Sequence, residues 1–349
     1  MQPDQRESFI STLRCEQHSR VPFFPRDLTL GLDALKVDTD MVFGPGRYDA
    51  KLSAECVLEL QKMLGHDCTV GCISTYGLEA FGGVTKFPKD GIPYVSQNPF
   101  ANEKLMEDYN PSQITDCYLF KGMRESCEIV RKKRPDLALF VNIPGPMTMA
   151  GFMRGVEQLM MDLMMNPDLA AEILVFSVEA IANEMVGLTD GIADGVFFAS
   201  ATDNPDMIGD DFLEHSVPGI RVLNDLAHRD GYLTIFHPHG VFSTEDRAEY
   251  LDAALAAGAD GFQFSESNDP ESIGDACRGR CCVLGGLDSY TSLLLGPEKR
   301  IRRDTMSFID TFRDDPYIMT CSCSVNRGLP LDNLRIMADQ IAEYNGGMR

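Results

Sequence analysis

The feature that most constrains the fold is a regular alternation of short apolar runs with helical segments. The apolar runs are bounded by Gly, Pro or polar turn residues, which is typical of buried strands, and helical periodicity separates most of them. Eight such runs lie near residues 22, 70, 140, 197, 234, 262, 283 and 319. This alternation predicts parallel strands that are joined by right-handed crossovers.

Eight strand–helix units within 349 residues predict a (β/α)8 TIM barrel that forms a single domain over residues 1–349. The prediction includes an N-terminal helical extension and an inserted loop or hairpin near residues 82–95, where Gly, Pro and Lys are frequent. A doubly wound open sheet is the main alternative. No G-x-G-x-x-G motif follows the first apolar run, so a dinucleotide-binding sheet has little support.

The charge of the chain bears on its partners. The formal net charge is −22, from 31 Lys and Arg against 53 Asp and Glu. Such an acidic surface disfavours nucleic acid and anionic membranes as partners, although solubility alone accounts for most of the charge. No segment has the character of a signal peptide or a transmembrane helix, and the eleven cysteines, an odd number, do not suggest a disulfide framework. We therefore expect a cytoplasmic protein with no membrane partner.

A candidate metal site lies at the end of the fifth apolar run, within Tyr232 to Gly240, YLTIFHPHG. In a strand, residues i and i+2 face the same side, so His237 and His239 would project together. Pro238 cannot donate a ladder hydrogen bond, which places the end of the strand here. Paired imidazoles suit a metal such as zinc. Two histidines in a surface turn are the plainer alternative.

A second half of such a site follows the eighth apolar run, where Cys321 and Cys323 lie two residues apart. The carboxyl ends of all strands meet at the mouth of a TIM barrel, which is where its chemistry takes place. Two imidazoles and one thiolate would give zinc three ligands and leave one position open. A pair of small buried residues is the alternative interpretation of this Cys-Ser-Cys sequence.

Other strand ends supply further candidate residues. Asp203, after the fourth run, could act in catalysis or orient a ligand, or it could cap the helix that begins at Pro205. Glu266, after the sixth run, could be a general acid or a fourth zinc ligand, or a solvated loop residue. Asp288 and Tyr76 are candidate substrate-binding residues, with loop capping and ordinary packing as their alternatives.

A series of short motifs occurs in a fixed order along the chain. They are RVP (20–22), GGVTKFPKDGIPYV (82–95), IPGPMTMA (143–150), GVE (155–157), DLMMNPDL (162–169), HPHG (237–240), VLGGLD (283–288) and PLDNL (330–334). In order and spacing they resemble the uroporphyrinogen decarboxylase-like superfamily, in particular its corrinoid methyltransferase branch, which includes the methylcobamide:coenzyme M methyltransferases. The resemblance covers nearly the whole chain.

The resemblance implies a zinc-dependent methyl transfer that uses a methylcobamide or related corrinoid. This corrinoid would be carried by a separate protein, because the chain shows no additional cobalamin-binding domain. In that branch, an H-x-C motif after the fifth strand and a Cys before the closing P-L-x-N-L hold the zinc. The matching positions are His237, His239 and Cys323, with Cys321 as second choice. His239 departs from the pattern, because the branch has cysteine there.

This departure changes the charge of the expected site. One imidazole and two thiolates neutralise Zn²⁺, whereas two neutral imidazoles and one thiolate leave a formal charge of +1 and a stronger Lewis acid. A stronger Lewis acid better activates an ether or hydroxyl oxygen as a leaving group. We therefore expect methyl transfer from a small methylated substrate, either a methoxy compound (O-demethylation) or a methylamine, to the cobalt of the corrinoid.

Other functions fit the same features. One is the opposite reaction, in which a methylcobamide methylates a thiol. Another is a cofactor-free uroporphyrinogen decarboxylase-type lyase; those enzymes carry an arginine-rich N-terminal stretch that grips substrate carboxylates, and the segment with Arg20 and Arg26 lacks that density. A third is a catalytically silent barrel that serves as a binding partner. A homodimer is a candidate assembly.

Overall fold

The strands of the structure, a computed structural model, are mostly short, and those of the parallel sheet are almost entirely buried. Residues 5–16 and 20–347 are described, without the side chains of 103–105 and 347. The strands are β1 (Phe43–Gly44), β2 (Arg47–Tyr48), β3 (Cys68–Thr69), β4 (Val84–Lys86), β5 (Tyr94–Gln97), β6 (Ala138–Pro144), β7 (Gly195–Ser200), β8 (Leu233–Pro238), β9 (Gly261–Gln263), β10 (Cys282–Leu287) and β11 (Tyr317–Cys321).

Helices follow most of the strands and form an outer layer. They are α1 (Gln5–Leu13), α2 (Leu30–Leu35), α3 (Thr39–Val42), α4 (Ala50–Leu64), α5 (Tyr118–Lys133), α6 (Pro146–Arg154), α7 (Val156–Met165), α8 (Pro167–Thr189), α9 (Pro205–Ile208), α10 (Val217–Arg229), α11 (Ala248–Ala256), α12 (Pro270–Cys277), α13 (Glu298–Thr311) and α14 (Leu331–Gly347). Short 3₁₀ turns cover Leu78–Phe81, Glu103–Asp108, Pro111–Asp116 and Glu245–Arg247, and π turns cover Phe212–Ser216 and Ser289–Leu294.

Seven of the strands form one parallel sheet in the order β11–β10–β9–β8–β7–β6–β3. The predicted first strand lies between its two edges as extended backbone. Phe24 N donates to Met319 O at 2.9 Å, Met319 N donates to Pro22 O at 2.9 Å, and Asp67 N donates to Phe23 O at 2.8 Å. These bonds join both edges of the sheet through one segment, which confirms the predicted (β/α)8 TIM barrel.

The amino-terminal end of the barrel is filled by aromatic and aliphatic side chains. Phe9 of α1 packs edge-on against Phe24 and Phe140, with ring centroids 5.7 and 5.3 Å apart. Phe9 is fully buried, as are Phe197 and Ile235 from the neighbouring strands. The N-terminal helical extension therefore closes one end of the barrel, and the carboxyl ends of the strands remain for a functional site.

The inserted segment predicted near residues 82–95 is an antiparallel hairpin of β4 and β5. The apolar periodicity of residues 153–165 predicts a single helix, but the structure has a break within this segment, since α6 ends at Arg154 and α7 begins at Val156. Gly155 separates them with φ of +94°, a conformation that side-chain-bearing residues rarely adopt. The apolar period continues across this break, so periodicity alone did not reveal it. No helix in the described part of the chain is long and apolar enough to cross a bilayer.

The carboxyl group of Glu184 is buried in the helical layer. Glu184 of α8 is 3% exposed, and its Oε2 has no hydrogen-bond partner among the described residues. Burial raises the pKa of Glu184 from 4.5 to about 8. The folded protein therefore holds a proton on Glu184 at pH values where the unfolded chain has released it.

We predict that Glu184 makes the folded state less stable as the pH rises from about 5 to about 8. Glu184→Gln, which cannot ionise, should remove this loss, on the order of a few kcal/mol. Urea unfolding of both proteins across this range measures the effect, with exposed Glu172→Gln on the same helix as the matched control. If the free energy of unfolding changes with pH in the same way for wild type and Glu184→Gln, the prediction is wrong.

Candidate metal centre

Two histidines lie at the carboxyl end of strand β8, at the mouth of the barrel. The residues of β8 are buried through Pro238, and His237 is fully buried. His239 N donates to Ser200 O of β7 at 3.2 Å, which holds the chain against its neighbour one residue past the strand. Gly240 then turns the chain with φ of +111°, and a Cβ there would lie 2.4 Å from Asn204 Oδ1. The His-Pro-His-Gly sequence thus ends the strand while both imidazoles face the same space.

Cys323 lies beside these histidines, in the loop that follows β11. One nitrogen of each imidazole and the Cys323 sulfur all lie within 4.8 Å of one another. The two imidazole centroids are 4.8 Å apart, and Cys323 Sγ is 3.6 Å from His239 Nε2. Two imidazoles and one thiol at this spacing are a set of side chains that could hold a metal ion such as zinc.

The orientation of His237 matches that of a metal ligand. His237 Nδ1 lies 3.0 Å from the Gln263 carbonyl oxygen, and because a carbonyl only accepts, Nδ1 carries the proton. His237 Nε2 is then an acceptor; it is buried and has no partner among the described residues. Burial lowers the pKa of His237 to about 4, so this imidazole is neutral at pH 7. A neutral imidazole held through its other nitrogen is the usual form of a zinc-bound histidine.

The surroundings of Cys323 favour its ionised, thiolate form. Burial opposes its ionisation, but the adjacent imidazoles of His237 and His239 and the charge of Arg26 outweigh burial and hold the pKa of Cys323 well below its ordinary value. Arg26 Nη2 donates to the Cys323 sulfur at 3.4 Å. Thiolate is the form that binds zinc, so the local charges favour the ligand state before any metal binds.

Cys321 lies in a different environment. It is fully buried in β11, and burial raises the pKa of its thiol to about 12. Its carbonyl oxygen accepts a hydrogen bond from Gln263 Nε2 at 2.7 Å. Gln263 therefore joins the two halves of the site, since its main chain holds His237 and its side chain holds the strand that leads to Cys323.

A cavity of about 210 Å³ extends from the three side chains toward the barrel mouth. Tyr76, the predicted substrate-binding residue after the second strand, lies on its wall and packs on Phe152 with ring centroids 4.1 Å apart. Arg26 and Asn142 also line the cavity. The cavity is therefore an apolar-walled pocket with a few polar groups, as is typical of a small-molecule site.

The structure does not bring the predicted carboxylates into this cavity. Asp203 is fully buried and accepts hydrogen bonds from Met147 N and Thr148 N, both at 3.2 Å, at the start of α6. The helix that begins at Pro205 is capped instead by Asn204, whose Oδ1 accepts from Asp206 N. The sequence therefore indicated a cap at Asp203 but assigned it to the wrong helix.

Glu266 and Asp288 line a separate surface hollow beyond the ends of β9 and β10. Glu266 is exposed, and Asp288 accepts from Tyr290 N at 2.8 Å and from the Thr291 hydroxyl. Neither residue lines the cavity beside the three metal-ligand candidates.

The sequence did not predict two residues of the site, Arg26 and Gln263. Arg26 lies in the first strand's loop, far from Cys323 along the chain, and only closure of the barrel reveals their contact. Gln263 carried a weaker signal, since it is a lone amide between Phe262 and Phe264 in a strand that is otherwise apolar. A buried polar side chain in such a strand needs a hydrogen-bonded role.

Comparisons with known proteins agree with this fold. Methylcobamide:CoM methyltransferase MtaA of Methanosarcina barkeri is 24% identical over 281 residues, which are 78% of each chain. The solved structure of a methyltransferase from Methanosarcina mazei superposes with a TM-score of 0.85 at 18% identity, covering 98% of this chain and 99% of that one. A B12-independent methionine synthase from Shewanella sp. W3-18-1 gives a TM-score of 0.55 at 10% identity, covering 94% and 97%.

The family resemblance carried by the ordered motifs is also confirmed. The family model described as uroporphyrinogen decarboxylase (URO-D) matches residues 4–344. That match includes His237, His239 and Cys323, the hairpin of β4 and β5, and most of the closing helix α14. The chain belongs to the uroporphyrinogen decarboxylase (URO-D) family.

Proposed function

We propose that the protein is a zinc- and corrinoid-dependent methyltransferase. It would move a methyl group from a small methylated substrate, such as a methoxy compound, to the cobalt of a corrinoid carried by a separate protein. The observation that carries this proposal is the convergence of His237, His239 and Cys323 on the wall of one cavity. The name of the M. barkeri relative, a methylcobamide:CoM methyltransferase, supports methyl transfer that involves a corrinoid.

The residues present fit a zinc ion. His237 Nε2 is a buried acceptor without a partner among the described residues, and it faces a thiolate and a second imidazole. His237, His239 and Cys323 would hold the ion and leave a fourth position toward the cavity. When bound, zinc supplies a Lewis acid that polarises the heteroatom carrying the methyl group.

The protein's own groups would orient the substrate and exclude water. Gln263 fixes the tautomer of His237, and Arg26 holds the sulfur of Cys323 in place. Tyr76 and Phe152 form an apolar wall, which limits water around the reacting heteroatom. Asp203, buried at the start of α6, would act as a positioning residue for the cavity wall at Thr148.

The size of the cavity favours a small substrate over a tetrapyrrole. Its volume of about 210 Å³ lies below the roughly 300–1,000 Å³ of pockets that hold drug-sized ligands. A cofactor-free decarboxylase would have to accommodate four linked pyrrole rings in the same space. Decarboxylation therefore has less support from the geometry than methyl transfer.

The opposite direction, methylation of a thiol by a methylcobamide, is the second candidate. The name of the M. barkeri relatives favours it. His239 favours the demethylating direction, because a second imidazole in place of a thiolate leaves the zinc site with a formal charge of +1. A direct assay of both directions decides between them.

We expect purified protein to bind about one zinc ion per chain. His237→Ala and Cys323→Ser should each remove most of this zinc, because two remaining ligands hold the ion poorly. Cys321→Ser is the matched control and should keep its zinc, since Cys321 lies buried in β11 outside the cavity. Elemental analysis after dialysis against a weak chelator measures the metal. Zinc retained in Cys323→Ser but lost in Cys321→Ser would overturn the ligand assignment.

We expect the protein to methylate cob(I)alamin in the presence of a small methoxy donor, and the absorbance change of the corrinoid follows the reaction. The donors to compare are methoxy compounds and methylamines. Methylcobalamin with thiols such as 2-mercaptoethanesulfonate tests the opposite direction. Turnover with thiols alone would reject the demethylating direction, and no turnover in either direction would reject the proposed function.

His239→Cys should keep zinc but weaken demethylation. The substitution gives one imidazole and two thiolates, which still form a good zinc site but lower its formal charge from +1 to zero. We expect turnover of a methoxy donor to fall by roughly tenfold or more, while thiol methylation is maintained or increased. Equal loss in both directions at full zinc content would show that the charge of the site does not set the direction.

A further inference from the structure

Asn142 is a polar side chain on an otherwise apolar strand of the barrel. It lies between Val141 and Ile143 on β6, where every other residue is buried. Asn142 is partly exposed, and its side chain lines the metal cavity. Its Oδ1 is nevertheless buried and has no hydrogen-bond partner among the described residues. A buried amide oxygen without a partner is costly, which points to a ligand that completes it.

The alternation of side chains along β6 directs Asn142 into the barrel. Ala138 and Phe140 of the same strand belong to the apolar cluster that fills the barrel interior, together with Phe197 and Ile235. Residues i and i+2 of a strand face the same side, so Asn142 lies above this apolar floor. The side chain therefore faces the cavity and not the layer of helices.

Asn142 and His237 line the same cavity on either side of one small residue. Strand β7 lies between β6 and β8, and its Ala199 pairs in register with His237 on one side and with Pro144 on the other. Two strand spacings separate β6 from β8 by about 10 Å. Ala199 also lines the cavity, and because it carries only a methyl group, it leaves space between the amide and the imidazole. A short molecule held beside the metal-ligand candidates can therefore reach Asn142.

A second asparagine of the same cavity differs from Asn142, because its amide is already paired. Asn326 also lines the cavity. Its Oδ1 accepts from Thr29 Oγ1 at 3.0 Å, and its Nδ2 donates to Ser324 Oγ at 3.2 Å. These bonds hold the loop that follows β11, so Asn326 has a structural role. The amide oxygen of Asn142 has no such bond in the described part of the chain, which leaves it for a ligand.

We propose that Asn142 is a specificity-determining residue of this cavity, and that the methylated substrate carries a hydroxyl group a few bonds from the heteroatom that bears the methyl group. A hydroxyl both donates and accepts, so it can pair with either end of the amide. The terminal torsion of asparagine is broad, so either end can turn toward the cavity. A 2-methoxy alcohol is a small member of this substrate class. The transfer of its methyl group rests on the proposed function, whereas the preference for a hydroxyl can be measured by binding alone.

Two probes of equal size test this preference, because 2-methoxyethanol and 1-methoxypropane differ only in a terminal hydroxyl or methyl group. Burial of the methyl group in an apolar pocket would by itself favour 1-methoxypropane. Calorimetric titration of the zinc-loaded wild-type protein should instead show 2-methoxyethanol binding at least about tenfold more tightly, since the other ether leaves the amide unpaired. Equal affinity for the two probes, or a preference for 1-methoxypropane, overturns the proposal whether or not the protein transfers methyl groups.

Variants of Asn142 distinguish its amide from the other polar groups of the cavity. Asn142→Leu should lose about tenfold or more in affinity for 2-methoxyethanol, while it binds 1-methoxypropane as well as wild type does or better. Asn142→Asp keeps the shape of the side chain and an acceptor oxygen, so it should recover part of the preference for the hydroxyl. Zinc content is measured for every variant, and affinities are compared at equal zinc content.

Asn326→Leu is the matched control, because it removes an amide of the same cavity that is already paired. It should change the affinities for the two probes by similar factors. The proposal is wrong if Asn326→Leu shifts the preference as much as Asn142→Leu does, or if zinc-loaded Asn142→Leu keeps the wild-type preference.

Turnover separates this inference from the proposed function. In demethylation of 2-methoxyethanol, the bond between the methyl carbon and the ether oxygen breaks, the electron pair of cob(I)alamin forms the new bond to that carbon, and the released oxygen takes up a proton to give ethylene glycol. A kcat/KM at least about tenfold higher for 2-methoxyethanol than for 1-methoxypropane supports both proposals. A hydroxyl preference in binding without methyl transfer in either direction supports the role of Asn142 and rejects the methyltransferase. Methyl transfer from both ethers with equal kcat/KM supports the methyltransferase and rejects the role of Asn142.

Discussion

The site depends on closure of the parallel sheet by residues 21–24, which lie between β3 and β11. The side chain of Asp67 secures this segment at the β3 edge, because its Oδ2 accepts from Phe23 N at 2.8 Å while Arg20 holds both of its oxygens. The Arg-Val-Pro motif therefore has a structural role, since its arginine stabilises the carboxylate that fixes the closing strand. Without this closure, the turn at Arg26 and the loop with Cys323 would not meet.

Closure explains how two distant parts of the chain make one chemical environment. The segment bonds to β11 through Met319, and beyond that strand Val325 N donates to the carbonyl of Arg26. This pairing sets the register that places the guanidinium beside the sulfur of Cys323. On the other side of the barrel, the main chain of Gln263 orients His237 while its side chain bonds to the carbonyl of Cys321. The position of each ligand is thus fixed by hydrogen bonds from a strand other than its own.

Sequence reasoning recovered the barrel because strand alternation and the ordered motifs are local patterns. It also paired the two histidines with Cys321 or Cys323, since carboxyl strand ends share one face in any such barrel, and the family resemblance favoured Cys323. The side on which a loop residue projects is not encoded locally. Glu266 and Asp288 lie at the ends of their strands much as the histidines lie at the end of β8, yet they line a separate surface hollow, and only packing around the barrel distinguishes them. Arg26 was counted as part of a sparse basic stretch, because its contact with Cys323 exists only across the closed sheet.

Arg26 is held in a position that costs free energy. A left-handed residue costs about 1 kcal/mol or more, and a buried guanidinium with unpaired donors costs further desolvation. The contact with Cys323 offsets part of both costs, because the sulfur accepts from Arg26 Nη2 and the charge of Arg26 in turn favours the ionised form of that sulfur. The same contact therefore makes the buried guanidinium less costly and sets the charge of the site.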